Sequence, residues 1–134
     1  MVERMSSALQ HRGPDAGGLC SFSSCVLGHR RLSILDLSDA ANQPMFSADG
    51  TIAVVFNGEI YNFQELRSRL QMRGHTFRTT SDTEVLLALY IEEQEAMLEG
   101  LNGMFGFAIW DEQRGRLFLA RDRLGKKPLY YSQR

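Results

Sequence analysis

The sequence has 134 residues, of which 43% are hydrophobic and 23% charged, and its formal net charge is -1 at pH 7. These values are typical of one soluble globular domain, or part of one, long enough to bury a core. The balanced charge gives no electrostatic basis for a nucleic-acid or membrane partner. The sequence has no apolar run of about 18 residues and no apolar signal core at its start.

Two cysteines, Cys20 and Cys25, are predicted to be free thiols in or near strands. They form no CxxC pair, and no His-Cys set has the spacing of a zinc site. Free thiols are typical of a reducing compartment, so we expect a cytoplasmic protein.

The first part of the chain predicts a helix and two short strands. Residues 2–11 carry apolar side chains at helical spacing, and the glycines and proline of HRGPDAGG then predict a loop. Leu19–Phe22 and Cys25–Gly28 are predicted strands. The long stretch HRRLSILDLSDAANQP has little regular pattern, which is often a feature of functional segments.

The middle of the chain predicts a buried strand and two helices. The run TIAVVF, Thr51–Phe56, is apolar and β-branched, which favours a strand buried on both faces. A helix is predicted from the N-cap Asn62 to the C-cap Gly74, followed by a short strand in HTFRTT. The capping box SDTE, Ser81–Glu84, then predicts a helix buried on one side.

The last part of the chain predicts three strands. MFGFAIWD and GRLFLARD are joined through the loop EQRG as a hairpin, and PLYYS is a final strand. Because strands and helices are grouped rather than alternating, the fold class is predicted to be α+β.

Two polar clusters in the first half are candidates for chemistry. HRGPD is either only a rigid loop or part of a site. If HRR is extended, Arg30 and Arg31 point to opposite faces, so one is solvated and the other reaches a pocket. A guanidinium there would bind a carboxylate through two hydrogen bonds. The alternative is two surface arginines.

The sequence FNGE offers hydrogen-bond donors directly after the buried strand. Asn57 has an amide NH2, and Gly58 has a backbone N–H with no side chain in the way, as an oxyanion hole requires. The alternative is a simple turn, although a following helix disfavours a two-residue hairpin. Asp82 either favours its helix dipole or binds an ammonium group. Together these groups would fit an α-amino acid with a reacting carbonyl.

Seven motifs in consistent order carry a resemblance to a known family. They are HRGPD, GHRRLSILDLS, NQPM, VVFNGEIYNFQELR, SDTEVLL, LNGMFGFAIWD and RDRLGKKPLYY. From His11 to Tyr131 the chain resembles the glutaminase domain of glutamine-hydrolysing asparagine synthetases, which are class II glutamine amidotransferases. Amidotransferases that make glucosamine phosphate or phosphoribosylamine share parts of the pattern.

The resemblance implies a fold and a set of glutamine-binding residues. The fold is an αββα sandwich of the N-terminal-nucleophile hydrolase type, here expected to be a partial domain over residues 1–134, truncated at both ends. Arg31 would hold the α-carboxylate of L-glutamine. Asn57 and Gly58 would form the oxyanion hole, and Glu59 and Asp82 would meet the α-amino group. The pocket would be lined beside Arg31 by the backbone of Leu32, Ser33, Ile34 and Leu35.

The family reaction is amide hydrolysis through a thioester on an N-terminal cysteine, whose own α-amino group is the base. This chain begins Met1-Val2, so the nucleophile is absent, and neither internal cysteine is a credible replacement. We therefore expect no glutaminase activity from these 134 residues alone; ammonia release above a heat-killed control would contradict this. HRGPD would be a structural loop near the site.

The resemblance also predicts partners outside the chain. Ammonia would pass to a C-terminal synthetase domain that uses ATP and Mg to amidate aspartate, whereas this chain needs no metal or cofactor of its own. A missing strand would leave an edge exposed, so a homodimer is possible. The alternatives to a working glutaminase domain are a pseudo-enzyme that only binds glutamine, and an interaction module that binds none.

Overall fold

The computed structural model describes residues 1–32 and 42–133. The helices are α1 (Val2–Ala8), α2 (Phe63–Met72), α3 (Asp82–Glu93) and α4 (Met97–Gly100), with short 3-10 helices at Gln10–Arg12 and Gln94–Ala96. The strands are β1 (Ala16–Ser21), β2 (Val26–Arg31), β3 (Met45–Phe46), β4 (Ile52–Ile60), β5 (Gly103–Asp111) and β6 (Arg116–Arg121). The class is therefore α+β, as predicted.

Two antiparallel sheets form the centre of the molecule. One contains β1 and β2, and the other has the order β3-β4-β5-β6. The pairing of β4 with β5 runs over nine residues, from Ile52 opposite Asp111 to Ile60 opposite Gly103. Gly115, with φ of 59°, lies in the predicted loop between β5 and β6.

Residues Thr51–Phe56 are buried or partly buried on both faces of the four-stranded sheet, which confirms the prediction for this segment. One face packs on α2 and α3 and includes Val54, Phe56 and Ile109. The other face packs on the two-stranded sheet, where Leu27, Ala53 and Trp110 form a smaller cluster. Because α1 lies against β2 on the far side, the layers are α, β, β and α.

Two predicted strands are wrong. HTFRTT is irregular because Glu84 accepts its backbone N–H groups: Oε1 lies 2.9 Å from Arg78 N, and Oε2 lies 2.7 Å from Thr79 N. PLYYS is also not a strand, and Tyr130 and Tyr131 are highly exposed. Neither segment pairs with a neighbouring strand among the described residues.

The helix that follows Ser81 begins as predicted but is more deeply buried. Ser81 Oγ accepts the backbone N–H of Glu84 at 3.3 Å, which is the first half of a capping box. The Glu84 carboxylate turns instead to the preceding loop. Every residue from Asp82 to Tyr90 is buried, so the expectation of burial on one side only is wrong. The helix is enclosed by the sheet and by α2 and α4.

Asn62 occupies the predicted position before α2 but caps nothing there. Its Nδ2 donates to Gly100 O at 2.9 Å, and its Oδ1 accepts from Asn102 N at 3.1 Å. The side chain therefore ties the start of α2 to the end of α4. The C-cap of α2 is Arg73, and the predicted C-cap Gly74, with φ of 94°, is the residue after it.

Asp122 organises the loop after β6. This carboxylate is 4% exposed and accepts backbone N–H groups from Phe105, Lys126 and Lys127 at 2.9–3.2 Å. These hydrogen bonds, the one from Lys127 first, lower the pKa of Asp122 to about 2. The ionised form is thus held by the folded state more strongly than by the unfolded chain.

We expect Asp122→Asn to lower stability at pH 7, because an amide NH2 would then face N–H donors. Since the folded pKa lies below the ordinary value of 3.8, the stabilisation is present above that value and is lost as the pH falls through about 2. Urea midpoints of wild type and variant should therefore differ at pH 7 and converge near pH 2. Glu65→Gln, at an exposed carboxylate, should leave the midpoint almost unchanged; a similar loss in both variants would contradict this account.

Candidate active site at the open edge of strand β4

Alternate residues of β4 point their backbone N–H and C=O groups away from β5. Val54 pairs with Met45 of β3. Two residues on, Phe56 N donates to Gln43 Oε1 at 2.6 Å. Four residues further, Ile60 N donates to Asp82 Oδ2 at 3.0 Å. Because β3 has only two residues, no strand within residues 1–32 and 42–133 pairs with this edge of β4 beyond Val54, and the edge is open there to other ligands.

Gly58 lies between the last two of these positions and shares their direction. Gly58 is opposite Phe105 of β5. The Phe105 N–H donates to Asp122 Oδ2 and the Phe105 carbonyl accepts from Asp122 N, so neither group is directed to Gly58. The Gly58 N–H therefore faces the open edge, as a donor for an oxyanion must. A side chain here would collide with Met104 O and would bring Cβ to 2.7 Å from the Phe105 Cα.

The alternative of a simple turn after Phe56 is wrong, because Asn57–Glu59 continue β4. They pair with Met104, Phe105 and Gly106 of β5. As alternate side chains point to opposite faces, Asn57 and Glu59 lie on the side of Ala53, which faces the two-stranded sheet. Asn57 is exposed and Glu59 is partly buried. The strand thus presents an amide, an N–H donor and a carboxylate in succession.

Asp82 reaches the same edge from the start of α3. It is 4% exposed, and its carboxylate contacts the backbone one residue beyond Glu59. Burial raises the pKa of Asp82 above its usual range, and the nearby negative charge of Glu59 raises it further. The structure therefore brings together two carboxylates whose mutual repulsion a cation would relieve.

Arg31 lies on the face of β2 that looks toward β4. Leu27 and His29, on the same face, contact the four-stranded sheet, the first through Ala53 and the second through Phe56 O at 3.1 Å. Arg30 points the other way, where its Nε donates to Gly13 O at 3.0 Å. The prediction of opposite faces is confirmed, and Arg31 is the arginine on the inner face.

The Arg31 guanidinium and its backbone are both held in place. Its Nη1 donates to Asn42 Oδ1 at 2.7 Å, and its carbonyl accepts the N–H of Asp15 at 3.1 Å. Pro14 forms a bridge with Arg31. The HRGPD loop therefore lies beside Arg31. Leu32 is exposed, while the predicted pocket residues Ser33, Ile34 and Leu35 lie outside the described residues.

The two cysteines do not supply a nucleophile to this edge. Both are free, and both pack around the cluster of Leu27, Ala53 and Trp110. Burial raises the pKa of Cys20 and of Cys25, so the thiolate is disfavoured at neutral pH. The expectation that neither cysteine is catalytic agrees with this environment.

Two further residues contact the site and were not singled out from the sequence. His29 and Gln43 bind the carbonyl and the N–H of Phe56, directly before Asn57. The sequence feature that could have identified them is their position inside two of the quoted motifs: His29 lies in GHRRLSILDLS, and Gln43 lies in NQPM.

Comparison with known proteins identifies the family of this chain. The family model described as a glutamine amidotransferase domain matches residues 1–134. The chain is 47% identical over 135 residues to Bacillus subtilis asparagine synthetase [glutamine-hydrolyzing] 3, covering 98% of this chain and 22% of that protein. It is 46% identical over 129 residues to the Sandersonia aurantiaca asparagine synthetase, covering 96% and 24%. The chain thus spans less than a quarter of these relatives.

A solved structure shows the same fold. Bacillus subtilis glutamine phosphoribosylpyrophosphate amidotransferase, complexed with ADP and GMP, superposes with a TM-score of 0.61 and 28% identity, over 72% of this chain and 23% of that one. The αββα layers are therefore those of the N-terminal-nucleophile type of glutamine amidotransferase fold. This chain belongs to the glutamine amidotransferase domain family.

Proposed function

We propose that this chain is the glutaminase domain of an asparagine synthetase-like protein. It binds L-glutamine at the open edge of β4 and stabilises the oxyanion formed when the side-chain amide is attacked. The observation that carries this proposal is the direction of the Gly58 N–H, which lies between the two occupied positions at Phe56 and Ile60. The identity to glutamine-hydrolysing asparagine synthetases supports it.

Each end of glutamine meets a group of matching charge. Arg31 binds the α-carboxylate, since a guanidinium forms two hydrogen bonds with a carboxylate. Asp82 and Glu59 bind the α-ammonium group, which offsets the repulsion between them. The Asn57 amide and the Gly58 N–H then donate to the side-chain carbonyl oxygen, and more strongly once that oxygen becomes charged. The backbone of 32–35 completes the pocket in this proposal.

Hydrolysis also needs a nucleophile, which the family resemblance assigns to an N-terminal cysteine with its own α-amino group as base. In the proposed reaction, the cysteine thiol attacks the amide carbon, ammonia leaves, and water then hydrolyses the thioester to glutamate. In the full-length protein, ammonia would pass to a synthetase domain that uses ATP and Mg to amidate aspartate. We propose no metal or cofactor for the chain itself and a cytoplasmic location; a homodimer stays a prediction.

Asp82→Asn should change glutamine affinity and folding stability in different directions. The raised pKa means that ionised Asp82 is less favourable in the folded than in the unfolded chain, so at neutral pH its charge lowers stability. An asparagine can still accept from Ile60 N. We therefore expect unchanged or higher stability, with glutamine affinity reduced at least about tenfold, as for loss of a charged hydrogen bond.

The pH dependence of binding checks the same assignment. Because burial raises the pKa of Asp82, glutamine affinity should begin to fall, as the pH is lowered, before the ordinary aspartate range is reached. Asp82→Asn should remove this dependence. Calorimetric titrations of both proteins between pH 4 and pH 8 measure it, and parallel curves for the two would contradict the role of Asp82.

The proposed function itself is tested with the two enantiomers of glutamine. The chain should bind L-glutamine and discriminate against D-glutamine, because inversion exchanges the positions that the α-carboxylate and the α-ammonium group need. Ammonia release by the protein from its native source, with its N-terminal residue identified by intact mass, tests hydrolysis. Binding without hydrolysis there favours the pseudo-enzyme, and no binding of either enantiomer favours an interaction module.

A further inference from the structure

Two side chains occupy the place of a neighbouring strand at Phe56. The register of β3, with Met45 opposite Val54, puts Gln43 opposite Phe56. There the Gln43 side chain, rather than its backbone, accepts the Phe56 N–H at 2.6 Å. On the carbonyl side, His29 Nε2 donates to Phe56 O at 3.1 Å. We call Gln43 and His29 the Phe56 clamp.

Gln43 joins the strand to the helix that carries Asp82. It is 9% exposed, and its Nε2 donates to Thr83 Oγ1 at 3.3 Å, one residue after Asp82. Both ends of the amide are therefore bound, which fixes its orientation. One buried side chain spans the two elements that carry the proposed oxyanion donors and the proposed ammonium ligand.

The His29 ring has one nitrogen that forms a hydrogen bond and one that is buried without a partner in the described part of the chain. Its Nδ1 is buried and has no hydrogen-bond partner among residues 1–32 and 42–133. An unpaired buried acceptor is destabilising, and an apolar side chain of similar size would avoid it. The hydrogen bond to Phe56 O is thus what the histidine contributes to this position.

We propose that the Phe56 clamp positions the oxyanion donors of the site. Only one residue separates Phe56 from Gly58, so fixing both backbone groups of Phe56 fixes the direction of the Gly58 N–H and the origin of the Asn57 side chain. Gln43 in addition sets the distance from these donors to Asp82. The clamp residues touch no substrate, and the proposal rests on the proposed function of the site.

The test compares L-glutamine with L-norvaline, which has the same α-groups but no side-chain carboxamide. In calorimetry on the 134-residue chain, His29→Leu should weaken glutamine binding about fivefold, the factor expected of one hydrogen bond, and norvaline binding less than twofold. His29→Gln, which places an amide donor at similar reach, should recover most of the loss. Gln43→Met should weaken glutamine more than norvaline.

Equal losses for the two ligands in both variants would overturn the clamp, because a general disturbance of the fold would weaken both alike. Thermal unfolding of each variant identifies one that does not fold. If His29→Leu fails to fold, the same comparison of glutamine and norvaline affinities is made with Gln43→Met and His29→Gln.

A ligand-free measurement separates this proposal from the proposed function. The backbone amide signals of Asn57 and Gly58 in 15N-correlation spectra should move in His29→Leu and return toward wild type in His29→Gln. If wild type binds neither ligand, the proposed function fails while these shifts still decide the clamp. Unmoved signals in both His29→Leu and Gln43→Met would overturn it.

Discussion

Alanine at position 58 should abolish glutamine binding and weaken the fold. The new Cβ would collide with Met104 O and lie 2.7 Å from the Phe105 Cα, both backbone atoms of the paired strand β5. Because backbone cannot rotate away as a side chain can, β4 must move off β5. Overpacking of this kind costs about 1–3 kcal/mol. Calorimetry with L-glutamine and urea unfolding of Gly58→Ala measure the two effects.

The neighbouring strand offers a matched control for stability. A Cβ at Gly106, opposite Asn57, would lie 3.5 Å from Pro128 O and 3.7 Å from Lys127 Cβ, which are ordinary contact distances. Gly106→Ala should therefore change the free energy of unfolding by no more than about 0.5 kcal/mol. Our account of Gly58 fails if the two alanine variants lose the same stability, or if Gly58→Ala binds glutamine as wild type does.

Arg31→Ala, which removes the guanidinium, is expected to weaken glutamine binding about thirtyfold or more. Truncating one partner of a hydrogen-bonded charge pair costs about 2–5 kcal/mol, of which 2 kcal/mol corresponds to roughly thirtyfold. Arg31→Lys should recover only part of the affinity, since an ammonium group cannot form the paired hydrogen bonds of a guanidinium. Calorimetric titration with L-glutamine measures all three proteins.

Arg30 provides the control one residue away. It has the same charge but lies on the opposite face of β2, where its guanidinium reaches Gly13 O and borders a cleft with Glu3 and Ser6 of α1. Arg30→Ala should therefore change glutamine affinity by less than about threefold, well under the loss of a charged hydrogen bond. Equal losses at both positions would mean that net charge, rather than contact, drives binding.

Long apolar runs and local capping chemistry were sufficient to predict much of this fold. The run at 51–56 and the hairpin closed by Gly115 predicted the centre of the four-stranded sheet. Ser81 predicted the start of α3, since its hydrogen bond to Glu84 N spans only three residues. Each of these features depends on groups close together in the chain, which a sequence pattern records.

The failures arise where distant partners decide the structure. Asn57-Gly58 has the composition of a turn, yet pairing with β5, about 50 residues away, keeps it extended. HTFRTT has β-branched residues, but the Glu84 carboxylate takes the N–H groups that a strand would need. Arg31 and Asp82 were identified as candidates by residue type, but the fold alone shows that Asp82 contacts the edge of β4 at Ile60 and that Arg31 lies on the face of β2 toward β4.

The way β4 is closed also bears on self-association. An unpaired strand edge is a template on which another extended chain can add, and this invites aggregation. Here side chains take the N–H groups of Phe56 and Ile60, which an incoming strand would require at regular spacing. Of the three residues between them, only Gly58 points its N–H to this edge, which suffices to bind one oxygen atom but not to pair with an extended peptide. The same arrangement that admits an amino acid should therefore keep other chains from adding to this edge.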